Sequence, residues 1–248
     1  MTRTLTYAGG LAAAVLVAVV GFNLLRGPPG PGVPSSPPTT PTAAPTTAPT
    51  PTTSTTTTTT IRPFTARPDM TVTYELPDGW RTFDDWAVGP DGAGVMVVLA
   101  EVDGIHSDPC RWDRAGTRDD TQPGDLAAGG DALAVATALH TNTAYASAGA
   151  PAPVTVGSND GFAVEIRLPT DLDLAGCDAP PGDPSGQYLV FGGKAGGFYP
   201  QGPGNRWQVS IVDVDDLQLA VILSSLESTP AADMAAARSI VDSIEFSQ

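Results

Sequence analysis

The first 61 residues contain no aspartate or glutamate, whereas all 27 acidic side chains of the 248-residue chain lie beyond Ile61. Arg3 and Arg26 are the only charged side chains in the acid-free stretch, so 10 of the 12 basic residues go with the acids. A charge boundary of this kind separates segments with different physical roles. It confines any water-soluble globular fold to the C-terminal part and leaves the N-terminal part to be explained without a core.

Within the acid-free part, Tyr7 to Leu25 reads YAGGLAAAVLVAVVGFNLL, with no charge and one weakly polar residue, Asn23. A helix needs about 20 largely apolar residues to cross ~30 Å of hydrocarbon. A secretory signal has a shorter apolar region, roughly 7 to 15 residues, followed by a small-x-small cleavage site. Val19 and Gly21 make a poor site of that type, and Leu24, Leu25 and Arg26 follow it. The expectation for residues 1–26 is therefore an uncleaved single-pass transmembrane anchor (a signal-anchor), with a cleaved signal as the alternative. No cysteine follows the apolar run, so a lipoprotein anchor is not expected. Arg3 and Arg26 nearly balance the positive-inside rule, so the next segment sets the orientation.

Residues 27–62 are rich in Pro, Thr, Ser and Ala and end in an unbroken threonine run, Thr55 to Thr60. Such a segment buries too little apolar surface to offset chain entropy and is expected to be a disordered linker. Its prolines favour polyproline II, a semi-rigid spacer rising ~3.1 Å per residue. The composition is that of an O-glycosylated stalk or of an unmodified linker, and either belongs outside the cell. Residues 63–248 are then one extracytoplasmic domain, long enough to build a real core.

A sequence pI near 4.2 argues against nucleic acid as a partner, because counterion displacement needs a basic patch. Cys110 and Cys177 are the only cysteines. Their spacing is far from C-x-x-C, both sit in polar Pro- and Asp-rich stretches (HSDPCRW and LAGCDAPPGDP), and an even count in an exported domain reads as one disulfide. Two cysteines and two histidines are too few for most transition-metal sites. Asp171, Asp173, Asp178 and Asp183 around Cys177, and Asp213, Asp215 and Asp216, match no EF-hand loop. Gly192-Gly193-Lys194 lacks phosphate-loop spacing. No metal or cofactor is expected.

Alternation over Met70 to Leu76 predicts a strand, followed by a turn at Pro77-Asp78-Gly79-Trp80. The continuous apolar run Gly94 to Val102 predicts a central strand. Residues 103–124 read as a loop carrying Cys110. Asp125 to His140 reads as a helix burying Leu126, Leu133 and Leu139. Gly157-Ser158-Asn159-Asp160 marks a hairpin between Val154–Val156 and Gly161–Leu168. Tyr188 to Phe191 reads as a short strand and residues 192–205 as a Gly/Pro loop. Two alternating runs meeting at Asp215-Asp216 predict a second hairpin. Thr229 as N-cap, Pro230 at the first helical position and Asp233 in the first turn open a final helix with Met234, Ala237, Val241 and Ile244 on one face. Strands and helices in this order predict an α+β fold with helices packed on an antiparallel sheet.

The segments VTYELPDGW, RWQVSIVDVDDLQLAVILSS and AAARSIVDSIEF resemble membrane-anchored extracytoplasmic domains of unknown function from actinobacteria. Those domains share a PsbP-like α/β/α sandwich, also seen in a group of mycobacterial lipoproteins. In many of them one cysteine follows Asp-Pro in a mid-domain loop and another follows a strand ending Leu-x-Pro, as Cys110 and Cys177 do here. The resemblance implies an extracytoplasmic location and a sensing or ligand-binding role. It carries no catalytic residues.

No G-x-S-x-G elbow is present, and the only candidate bases are His106 and His140. His140 reads as a helix-end residue whose charge suits the dipole, and His106 as a surface residue of the cysteine loop. Trp80, Trp86 and Trp112 stand at element ends, where anchoring by packing competes with a ligand-facing aromatic wall. Phe198, Tyr199 and Trp112 are the candidate ligand-facing aromatics, the first two on a loop able to close over a ligand. Anchor, stalk and the lack of a catalytic set point to a non-catalytic binding or sensing domain tethered to the cell membrane. Its partner would be a small molecule, a lipid or a protein of the envelope. A structural or accessory protein contacting another membrane protein is the alternative, and a hydrolase using paired carboxylates is a third class.

Overall fold

The computed structural model describes residues 56–61, 69–83, 86–92, 94–182, 186–193 and 202–247. The chain divides into two units, Met1–Thr50 and Pro51–Gln248, and every described residue belongs to the second. The expected anchor, the stalk up to residue 55, Asp183, Lys194, Phe198 and Tyr199 lie outside the described residues.

The strands are β1 (Thr56–Ile61), β2 (Thr71–Pro77), β3 (Trp80–Phe83), β4 (Ala87–Pro90), β5 (Val95–Glu101), β6 (Ala146–Ser147), β7 (Ala152–Val156), β8 (Asn159–Arg167), β9 (Arg206–Val214), β10 (Leu217–Ser225) and β11 (Glu245–Ser247). Helix α1 (Ala132–Thr141) precedes β6, and α2 (Ala231–Asp242) precedes β11. An eight-stranded sheet runs β3-β4-β5-β10-β9-β8-β6, with β7 also pairing β8, and a three-stranded sheet runs β1-β2-β11. Every pairing is antiparallel. The fold class is α+β, as the order of apolar patterns predicts.

Both faces of the large sheet are covered, which explains the continuous apolar runs. Side chains alternate across a strand, so Val98, Ala100, Ala220 and Ile222 enter one core, while Val95, Val97, Leu99, Leu219, Val221 and Leu223 enter the other. Helix α1 packs on β8, β9 and β6, whereas α2 packs on β2, β5 and β10. Trp207, Val209 and Ile211 join Val135 and Leu139 in the first core, and Val72 and Tyr74 join Ala237 and Ile240 in the second. The two hairpins close as expected. Val156 faces Asn159 across Gly157-Ser158, and Val214 faces Leu217 across Asp215-Asp216. Asp215 adopts φ 54°, a left-handed conformation that aspartate tolerates better than most residues.

Several expectations are corrected. The threonine run is not all linker: Thr56–Ile61 pairs residue for residue with Val72–Pro77, and Ile61 is buried. Threonine's β-branched side chain suits a pleated strand, so the folded unit begins before residue 63. Helix α1 starts at Ala132, not Asp125, because Asp131 caps it by accepting from Ala134 N at 2.8 Å. Leu126 instead bridges Ile105. The buried stripe is Ala132, Val135, Ala136 and Leu139, and Leu133 is 44% exposed. Tyr188–Phe191 is no ladder strand. It is a buried extended segment that touches the 103–109 loop through His106 N to Val190 O and Leu189 N to Pro109 O. The α2 cap is Pro230, with no side-chain cap bond, since Thr229 Oγ1 donates to Gly94 O at 2.9 Å. Trp80 is buried, but Trp86 is 38% exposed.

Candidate functional site

Among the described residues, a groove of about 600 Å³ lies where α1 begins beside the β7–β8 hairpin. Leu133 comes from α1, Pro153, Val154 and Phe162 come from the hairpin, and Asp131, Asp160 and Asp213 add carboxylates to the lining. Each carboxylate is set by a local bond. Asp131 caps α1. Asp213 accepts from Ala132 N at 3.2 Å and from Gln218 Nε2 at 3.2 Å, tying the helix start to the β9–β10 hairpin. Asp160 accepts from Thr155 Oγ1 at 2.9 Å across the β7–β8 turn. Two oxygens per carboxylate leave acceptor capacity beyond these bonds.

Gly161 lines the groove for a reason that lies behind it. A Cβ at this position would stand 2.0 Å from Ile211 O, so only glycine lets β8 approach β9 here. The groove is thus walled by strands and a capped helix. Its lining contains no lysine or arginine. Chemically it sets apolar side chains beside three carboxylates, which suits a ligand having an apolar body and a cationic edge.

The cysteine loop is built differently. Cys110 and Cys177 form a disulfide with Cα atoms 4.4 Å apart. Around it, Asp178 N donates to Cys110 O at 2.9 Å, and the Asp178 carboxylate accepts from Asp113 N at 3.0 Å. Asp108 accepts from Cys110 N at 3.0 Å, and Asp173 caps a 3-10 turn, Leu174–Gly176, that leads into Cys177. These aspartates hold turns. Among the described residues no group of three or more His, Cys, Asp or Glu is gathered to hold a metal ion.

Trp112 is corrected from a ligand-facing aromatic to a packing residue: it is 1% exposed, and its Nε1 donates to Gln187 O at 3.1 Å. His106 is corrected from a surface residue to a buried one at 3% exposure. Burial pulls its pKa below the usual histidine value, Asp125 opposes that shift and Arg114 adds to it. Asp125 itself is held below the usual carboxylate range. Burial pushes it upward, but bonds from Ser107 and the Arg114 guanidinium at 2.8 Å outweigh that. His140 shares a hydrogen bond with Ser147 at 2.9 Å at the end of α1.

By sequence, Leu133 belongs to the core, Asp160 to a hairpin turn and Phe162 to the strand that follows it, and none of the three stands out as a site residue. The available signal is Asp131 standing directly before an Ala/Leu run. With Val135 and Leu139, four residues apart, on the buried face, Leu133 lies roughly 200° around the helix from Val135 and turns outward.

No family model matches the chain, and no curated protein matches it. Among solved structures, it is similar to LpqN of Mycobacterium tuberculosis, a protein involved in cell envelope biogenesis. The identity is 10% and the TM-score 0.36, over 72% of this chain and 84% of that one. A Bacteroides thetaiotaomicron structure is similar at 8% identity and TM-score 0.30, over 71% of this chain and 45% of that one.

Proposed function

We propose that this chain is a non-catalytic extracytoplasmic binding or sensing domain, tethered to the cell membrane by the Tyr7–Leu25 helix and the Pro/Thr stalk. In this reading the sandwich is PsbP-like, with a helix on each face of one central sheet. The observation that carries the binding role is the groove, in which Leu133 and Phe162 are presented beside three carboxylates. A disulfide linking two loops supports an oxidising compartment. Among the described residues no helix is long and apolar enough to cross a membrane, and the Tyr7–Leu25 run is not among them.

The occupant in this reading has an apolar body and a cationic edge and belongs to the envelope. The test places a photoreactive amino acid at position 133 of the full chain and irradiates intact membranes. A covalent adduct should form, weaken when Phe162→Asp is added, and be absent when the probe sits at exposed Thr141 instead. Its mass separates a lipid or small molecule from a protein, the latter favouring the accessory-subunit reading. Labelling no stronger at 133 than at 141 would defeat the binding role of this groove.

A further inference from the structure

We infer that the outer edge of β1 is a homodimerisation site, at which two copies of this chain pair their threonine strands antiparallel. This is independent of the groove. The argument starts from how the described sheets treat their edges. An exposed edge strand carries unpaired N–H and C=O groups and recruits another strand unless it is short, charged or interrupted by proline. In the large sheet those devices are present. Strand β6 has two residues, β7 carries Pro153, and β3 has four residues including Arg81, paired to Asp91 at 2.6 Å.

Strand β1 has none of them. It is six residues of sequence TTTTTI, uncharged and without proline or glycine. Its partner is β2 on one side, and among the described strands nothing pairs the other side. Thr56, Thr57, Thr58 and Thr60 are exposed. The only charged residue of β2 is Glu75, so the strongly acidic character of the domain is nearly absent from this edge. Successive threonines place identical branched side chains along the strand, and cross-strand Thr–Thr pairs are favourable. A second copy of the same strand is therefore the complementary occupant, joining two three-stranded sheets into one through an isologous two-fold contact.

Symmetry restricts the register. A two-fold axis perpendicular to an antiparallel ladder passes midway between two directly opposite residues, so one residue must face its own copy. For all but one of the six residues of β1 to pair, that residue is Thr58 or Thr59. Thr58 then faces Thr58 of the second copy in one register and Thr60 of the second copy in the other. A ladder of this length falls below the area of a stable soluble dimer, about 1,000 Å², so association is weak in solution. Confinement by the expected membrane anchor would raise the effective concentration towards the millimolar range.

The test uses the full chain in a mild nonionic detergent, with mass followed by light scattering from about 1 µM to 1 mM, a range suited to weak interfaces. The variant is T58K/T60K. Within one chain, position 58 lies opposite Glu75, so an ammonium group there finds a carboxylate and β1 keeps its pairing with β2. Between chains, lysine faces lysine in either register. The wild type should form a reversible dimer. T58K/T60K should weaken it about tenfold with an unchanged melting temperature, and T58V/T60V should retain it. A wild type that stays monomeric throughout overturns the inference. So does a dimer that T58K/T60K leaves intact, since association then runs through another surface.

Discussion

Replacing both cysteines (Cys110→Ala with Cys177→Ala) should destabilise the domain by about 5 kcal/mol in all. The disulfide spans 67 residues, and in the chain-entropy model closing such a loop restricts the denatured ensemble by ~4 kcal/mol at 25 °C. The folded state should change little. The two loops remain joined by Asp178 N to Cys110 O, Leu189 N to Pro109 O and Asp113 N to the Asp178 carboxylate, at 2.9, 2.9 and 3.0 Å. Cys177 is buried against the first core, so truncating it to alanine adds a small cavity cost of ~1 kcal/mol. Against a typical domain stability of about 5–15 kcal/mol, this is a large fraction. Urea unfolding followed by tryptophan fluorescence measures it. The midpoint should fall, and the slope should rise because the uncrosslinked denatured chain exposes more surface. A loss under ~1 kcal/mol would refute the denatured-state argument. Two reactive thiols in denatured, unreduced wild type would refute the pairing itself.

Asn205 is fully buried, donates to Ser225 O at 2.7 Å, and accepts from Trp207 Nε1 at 2.6 Å and Ser224 Oγ at 2.9 Å. Asn205→Ala strands those three groups and should cost on the order of 3 kcal/mol, read by chemical denaturation. Gly161→Ala drives a methyl group into Ile211 O and should destabilise the β8–β9 ladder by about 2–4 kcal/mol, seen as a lowered melting temperature. Leu133→Asp, at a half-exposed groove position, should move stability by less than about 0.5 kcal/mol while abolishing photolabelling directed from a benzoylphenylalanine placed at position 162. His106 has a folded pKa below its unfolded value of 6.5. The unfolded state therefore takes up the proton first, and stability falls as pH drops from about 6.5 towards the folded value. Asp125 lies below 3.8 when folded and loses its contribution only as pH falls through and below that value. His106→Gln should flatten the first step and leave the second, measured by melting temperature against pH.

The local elements are largely legible in the chain. Alternation at Val72, Tyr74 and Leu76, the Gly157-Ser158 and Asp215-Asp216 turns, and the apolar run over Val95–Glu101 each depend on neighbours within a few residues, and each element forms where expected. The differences lie where a distant group intervenes. Thr229 does not cap its helix because Gly94 O, next to the start of another strand, accepts its hydroxyl. Tyr188–Phe191 has strand composition, but its partner is an irregular loop. Thr56–Ile61 reads as stalk because nothing in a threonine run announces the β2 edge waiting for it.

Composition, parity and periodicity suffice to establish that acidic, core-forming chain begins near residue 60, that two cysteines have one available pairing, and that the C-terminal part alternates strands with helices. Those properties need no knowledge of what lies opposite. Which side chains face solvent depends instead on packing between segments distant in the chain. Helix α1 presents Leu133 because packing of Val135 and Leu139 against β8 and β9 fixes its rotation, and the Asp213 bond to Ala132 N ties its start to the β9–β10 hairpin. His106 and Trp112 are buried where the disulfide loop packs against residues 187–191, with His106 N donating to Val190 O and Trp112 Nε1 to Gln187 O. The groove exists because α1, the β7–β8 hairpin and β9, distant from one another in the chain, close around space that no single segment encodes.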